Sequence, residues 1–246
     1  MINGLYKKNR RTRLLTAMGV SLIVAIFGGI MYYQNEQSDT GQPLPLSQAI
    51  KLPQPSYDSE ISIEEAIQSR RSVRSYQRAP LTITDISQLL WSAQGINRPG
   101  GYRTAPSAGA LYPLEIYLLA SNVSELPPGL YKYKADGHMI LQLYSGDRRS
   151  ELSQAALNQE AIVDAPAIFI ISAVYDRTTV KYGERGIRYV HMEVGHTAQN
   201  IYLQAASLEL GTVFIGAFYD QDVRTALGIM EDETPLGIMP VGHPAR

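Results

Sequence analysis

With 246 residues, 22 basic and 23 acidic side chains, the chain has the length for one core of ordinary size and no charge excess marking a nucleic-acid partner. Cysteine is absent, which excludes disulfides, thiolate metal sites and a cysteine nucleophile. No side chain present carries a hydride, so redox chemistry would need a borrowed cofactor.

Lys7, Lys8, Arg10, Arg11 and Arg13 precede Leu14 to Tyr33, twenty uncharged and mostly apolar residues. That is about the length needed to cross ~30 Å of hydrocarbon, with Tyr32 and Tyr33 where interfacial aromatics belong. Residues 1–33 therefore read as an uncleaved single-pass anchor, and the basic flank predicts a catalytic domain on the non-cytoplasmic side. A cleaved signal is the alternative, and Arg10-Arg11 also fits a degenerate twin-arginine signal. From residue 34 to 57 the chain is polar, carries Pro43, Pro45, Pro53 and Pro55, and reads as a linker to a domain over 58–246. Beyond residue 33 there are 17 basic against 23 acidic side chains, which argues against nucleic acid.

Ser62 and Glu65 stand at capping-box spacing before a short helix, at whose end comes Arg70-Arg71-Ser72-Val73-Arg74-Ser75-Tyr76. Three guanidiniums and two hydroxyls within seven residues form a donor set for one phosphate. Thr82 and Asp85 open a second helix, predicted to stop at Gly95 in a left-handed cap. Ala105-Pro106-Ser107-Ala108-Gly109-Ala110-Leu111-Tyr112-Pro113 is a stiff loop of small residues, which lets backbone approach a flat ligand, and Leu114–Leu119 reads as the strand after it. Asp136-Gly137 predicts a two-residue hairpin turn within 129–143. Ala167–Val174, Thr212–Phe218 and Leu236–Val241 read as strands, and Ile187–Leu210 as a long helix. The class expected is α+β with a mixed or mostly antiparallel sheet.

The two motifs together resemble the nitroreductase superfamily of FMN-dependent oxidoreductases, and within it the SagB/ThcOx-type dehydrogenases, over roughly residues 60–246. The resemblance implies an interlocked homodimer with helices flanking the sheet. It puts Arg70, Arg71, Ser72 and Arg74 on the FMN phosphate. It has Pro106, Ser107, Ala108 and Gly109 reach the flavin from the other subunit. Lys181-Tyr182-Gly183-Glu184-Arg185-Gly186 and the segment from Glu193 through Asn200 to Leu203 match the subgroup, in which a Lys-Tyr pair like Lys181 and Tyr182 is implicated in catalysis. Gly216 and Ala217 would present backbone to the hydride-accepting end of the flavin, Asn158 and Gln159 would place an amide there, and Arg246 would add a phosphate ligand. Azoline-oxidising relatives remove two electrons from a thiazoline or oxazoline. The alternatives are NAD(P)H-driven reduction of nitro or quinone-type aromatics, and a membrane-tethered flavin-binding module without turnover.

His191, Glu193 and His196 do not share a helical face, so no metal is expected. The chain also lacks dinucleotide-binding and P-loop glycine motifs and the Gly-x-Ser-x-Gly of serine hydrolases.

Overall fold

Unbroken apolar runs are what a strand needs when both its faces are covered, and Ala167–Ala173 is buried at every position. In the computed structural model, which describes residues 49–245, this run is a central strand of a seven-stranded sheet. In chain order the strands are β1 (Ala49–Lys51), β4 (Leu114–Ala120), β5 (Gly129–Lys134), β6 (Met139–Ser145), β7 (Ala167–Ala173), β8 (Gly211–Thr212) and β9 (Thr234–Gly242), with β2 (Ile96–Arg98) and β3 (Tyr102–Arg103) forming a separate hairpin. The sheet order is β1-β6-β5-β4-β7-β9-β8, and every neighbouring pair is antiparallel.

Alternate β7 residues feed two cores. Phe169 and Ile171 pack with Leu89, Leu90 and Ala93 of α2 (Ile83–Gln94) and with Val190, Val194, Ala198 and Ile201 of α6 (Arg185–Ser207). Ile168 and Ile170 pack on the other face with α3 (Arg149–Ala155), α4 (Glu160–Asp164) and α7 (Asp220–Leu227). The fold is the expected α+β class: an antiparallel sheet flanked on both faces by helices. Two shorter helices complete it, α1 (Ile63–Ser69) and α5 (Asp176–Tyr182). Both predicted capping boxes form, Ser62 with Glu65 and Thr82 with Asp85.

Four expectations are corrected. The predicted linker is part of the domain from residue 49: β1 pairs with Leu141–Met139, Leu52 is buried, and the Ser56 N–H donates to Gln88 Oε1 at 2.8 Å. A three-residue edge strand is too short to show a period in a proline-rich stretch. The hairpin turn spans four residues, since Lys134 pairs with Met139. Gly95 leaves α2 extended (φ −67°, ψ 154°). It is required there by close approach, because a Cβ would lie 2.7 Å from the Trp91 carbonyl oxygen. The strand predicted over Thr212–Phe218 shrinks to Gly211–Thr212 plus an isolated bridge from Ile215 to Ile238. Beside that bridge the Phe214 N–H, which faces away from β9, donates to the Tyr202 hydroxyl at 2.7 Å.

The Leu14–Tyr33 span, its basic flank, the first part of the proline-rich stretch and Arg246 lie outside the described residues. Among the described residues, no helix is long and apolar enough to cross a membrane.

Candidate functional site

The first half of the site begins where α1 ends. Arg70 is its C-cap and turns the chain into extended backbone (φ −49°, ψ 129°). The Val73 N–H then donates to the Thr212 carbonyl at 2.9 Å, so the basic run lies along β8. Arg71 Nη1 donates to the Gln68 and Arg70 carbonyls at 2.7 and 2.8 Å, steadying the guanidinium against the helix end. The Arg70 guanidinium stands 5.2 Å from the centre of the Tyr202 ring, and Ser72 Oγ is 3.2 Å from Tyr202 Oη. Both arginines line a groove of about 760 Å³ with Tyr202, Thr212 and Pro244. Glu65 also borders it, but its carboxylate accepts the Ser62 N–H at 2.9 Å, a bond that lowers its pKa. That carboxylate is therefore committed to the helix cap, leaving the guanidiniums available to an external anion. Arg74 and Ser72 are exposed, and the Ala245 N–H donates to the Ser75 carbonyl at 2.9 Å, laying the C-terminal tail beside the run.

Tyr202, absent from the sequence reading, organises this half. Its hydroxyl accepts from Phe214 N–H and pairs with Ser72 Oγ, joining the basic run to the segment leading to Gly216 and Ala217. Both of those residues are exposed, and Gln159 Nε2 donates to the Ala217 carbonyl at 3.2 Å. Asn158, exposed beside it, takes the left-handed conformation (φ 58°) that asparagine tolerates. The structure therefore links Arg70, Ser72, Gly216, Ala217 and Gln159 through one tyrosine and its neighbours. A tyrosine at the border of a helix's apolar stripe gives no sequence signal of this role.

The second half is the loop after β3. Ser107 Oγ accepts the Tyr112 N–H at 2.9 Å, closing a short turn in which Gly109 sits at φ 64°. A Cβ on Gly109 would lie 2.8 Å from Tyr182 Oη and 3.1 Å from Lys181 Nζ. The predicted Lys–Tyr pair thus abuts the predicted loop of the same chain. Lys181 and Tyr182 close α5, where Lys181 Nζ is 5.4 Å from the Tyr182 ring centre and that ring stacks edge-on with Tyr189 at 5.2 Å. Beneath the loop, Glu193 is buried among Gln94, Thr197, Arg103 and Ser107. Burial pushes its pKa up to about 7, against the pull of Ser107, Gln94 and Arg103. His191 and His196 are exposed, and His191 Nε2 lies 2.6 Å from Tyr175 Oη, so neither histidine joins Glu193.

Both halves are carried by α6, Tyr189 near its start and Tyr202 near its end. At 1.5 Å rise per residue they are about 20 Å apart. The arginine groove and the Lys–Tyr loop are consequently two separate patches on one chain.

Comparison with known proteins agrees with this architecture. The Nitroreductase family profile matches residues 67–243. The nitroreductase-family protein MJ1384 of Methanocaldococcus jannaschii is 50% identical over 184 residues, which is 75% of this chain and 92% of that protein. The chain belongs to the nitroreductase family. It is also similar to the microcin B17-processing protein McbC of Escherichia coli, at 26% identity over 61% of this chain and 57% of McbC. A solved Anabaena variabilis structure described as a nitroreductase superposes with a TM-score of 0.73 at 30% identity, covering 85% of this chain and 45% of that one. The chain thus spans less than half of the Anabaena protein and just over half of McbC.

Proposed function

We propose that the protein is an FMN-dependent oxidoreductase whose two flavin sites are built across a homodimer. One observation carries this reading: the phosphate-type donor set and the Lys–Tyr loop lie at opposite ends of α6, so a site using both takes one from each of two chains. Two-fold pairing then makes two equivalent sites.

The donor chemistry fits FMN. Arg70, Arg71, Ser72 and Arg74 would hold the phosphate through charge-assisted hydrogen bonds, and Arg246 would extend the set. Gly216 and Ala217 expose backbone, and Gly216 leaves room above it, since the nearest atom to an added Cβ is Phe214 Cε1 at 3.5 Å. Gln159 and Asn158 would flank that end, with Pro106 to Gly109 of the second chain closing the other side. When bound, FMN supplies the hydride chemistry. This chain's residues bind it, exclude water and move protons: Lys181 Nζ and Tyr182 Oη stand together at the exposed edge of α5, where proton transfer to or from a substrate would occur.

The relative named for microcin B17 processing supports a SagB-type dehydrogenase acting on azoline peptides. MJ1384's family name supports the second reading, NAD(P)H-driven reduction of electron-poor aromatics. The test is to purify the chain, identify the flavin released on denaturation, and then assay turnover. Oxidation of a thiazoline peptide supports the dehydrogenase, while flavin bleaching by NADH or NADPH with turnover of a quinone supports the reductase. A flavin that exchanges electrons with neither set would overturn the enzymatic reading and leave a binding module. Residues 1–33 would tether the domain on the non-cytoplasmic side, a topology that protease protection in intact cells tests.

A further inference from the structure

We propose that Arg177, held in place by Glu115, is a positioning residue for the Lys181–Tyr182 pair: it clamps α5 to the loop that sets Gly109 against both side chains. The inference deepens the proposed function, because it rests on that pair serving the reaction.

The loop does not keep its shape unaided. Gly109, Ala110 and Tyr112 all lie in the left-handed region, at φ 64°, 53° and 46°. Glycine takes that conformation freely, but in alanine and tyrosine the Cβ crowds a neighbouring carbonyl oxygen. Such backbone persists only where its surroundings over-determine it. Tyr112 is held in this way. Its N–H donates to Ser107 Oγ at 2.9 Å, its hydroxyl accepts the Arg103 N–H at 3.2 Å, its ring stacks against the Arg103 guanidinium at 4.5 Å, and its carbonyl accepts from Arg177 Nη1 at 3.2 Å. The first three stay within residues 103–112. The fourth comes from α5, the helix that ends in Lys181 and Tyr182.

Arg177 and Lys181 are four residues apart on α5, which puts them on one face of the helix, one turn from each other. The loop meets that face twice: Tyr112 at Arg177, and Gly109 at Lys181 with Tyr182 beside it. A shift at the Arg177 end therefore alters the spacing at the reactive end.

The Arg177 side chain is 41% exposed, and an arginine that open to water needs an anchor to stay in one place. Glu115 supplies it. Its Oε1 accepts from Arg177 Nη2 at 2.5 Å, so the planar guanidinium spans two acceptors, a loop carbonyl and a carboxylate of β4. Glu115 is fixed in turn: its Oε2 lies 3.3 Å from Lys132 Nζ on β5, which donates to Glu233 Oε1 at 2.6 Å, and Glu233 Oε2 accepts the Tyr117 hydroxyl at 2.7 Å. Two carboxylates thus balance one lysine and one arginine at the sheet. A half-exposed ion pair contributes little to stability, so what the Arg177–Glu115 pair supplies is geometry.

The experiment uses flavin-free full-length protein, so that the clamp is tested apart from turnover. The sequence holds one Ala-Gly pair, ending in Gly109, and one Ser-Gly pair, ending in Gly146 after β6. Labelling with ¹³C′-alanine or ¹³C′-serine together with ¹⁵N-glycine isolates each amide. Wild type is compared with Arg177→Lys, Arg177→Ala, Glu115→Gln and the double variant Glu115→Gln/Arg177→Ala. All should fold, because the Val174 N–H still donates to the Pro113 carbonyl and keeps the loop's exit beside α5. Lysine keeps the charge facing Glu115 but replaces the fork by one nitrogen. The Gly109 resonance should move in each single variant, and in the double variant no further than in Arg177→Ala, since Glu115 acts through Arg177. Gly146 should stay in place. A Gly109 signal unmoved in Arg177→Ala, full rescue by Arg177→Lys, additive shifts in the double variant, or a Gly146 shift as large as that of Gly109 overturns the proposal. In the holoenzyme, Arg177→Lys should lower kcat on the order of tenfold with KM and bound flavin little changed, as misplacement of a reacting pair does. An unchanged kcat also overturns it. Absence of turnover in wild type would defeat the proposed function, while the Gly109 resonance still decides the clamp.

Discussion

Replacing Gly109 by alanine separates backbone strain from the positioning of the Lys–Tyr pair. Gly109 sits at φ 64°, and holding an L-residue there costs about 1–2 kcal/mol. For a domain of this size that lowers Tm by about 2–8 °C. The new Cβ would also lie 2.8 Å from Tyr182 Oη and 3.1 Å from Lys181 Nζ. Both are ends of flexible side chains, so they give way, at little further cost in stability but with a displacement of roughly half an ångström. Since a 1 Å misplacement can cost about a hundredfold in rate, turnover should fall on the order of tenfold. Gly101 is the control, because it has φ 76° and nothing within 4 Å of an added Cβ. Gly101→Ala should show a comparable melting shift with turnover unchanged. Calorimetry and steady-state kinetics on the two variants make the comparison. If Gly109→Ala loses stability but turns over like Gly101→Ala, the loop does not position the pair.

Replacing Arg70 and Arg71 together by alanine removes charge-assisted bonds worth about 1.5–3 kcal/mol each, so FMN affinity, measured by fluorescence titration, should fall by at least about a hundredfold. Leu52→Ala should cost ~2–5 kcal/mol by urea denaturation, and a chain beginning at residue 58, lacking β1, should be less stable than one beginning at 44; equal stabilities would return residues 49–57 to a linker. The Glu193 acid is raised from 4.5 to about 7, so the folded state binds more protons than the unfolded between those values. Stability falls as pH rises through that window, by an amount on the order of 3 kcal/mol, and is flat above it. Glu193→Gln cannot ionise and should therefore gain stability over wild type between pH 5 and 8, as read by melting at each pH.

The central elements were legible because their signals are local. Capping boxes, the uniformly apolar β7 and the periodic α6 each declare themselves within one segment, and so did the arginine run and the Pro-Ser loop. What stayed hidden depends on partners distant in sequence. β1 is a strand only because β6 offers an edge, and beyond β8 residues 213–218 keep the Ile215–Ile238 bridge while Phe214 donates its N–H to Tyr202. Glu193 was visible only as a poor metal ligand, since its burial against Gln94 joins residues 99 positions apart. The meeting of Gly109 with Lys181 and Tyr182 likewise joins residues more than seventy positions apart.

The central claim is a flavin site shared between two chains, and mixing two defective variants tests it most directly. One carries Arg70→Ala and Arg71→Ala, the other Gly109→Trp, and each alone should bind little FMN. In a mixed dimer one site collects both defects and its twin neither, so subunit exchange should restore flavin to as much as one per heterodimer. Demonstrated exchange with no recovered flavin, or a monomer that binds FMN at full affinity, would contradict the account.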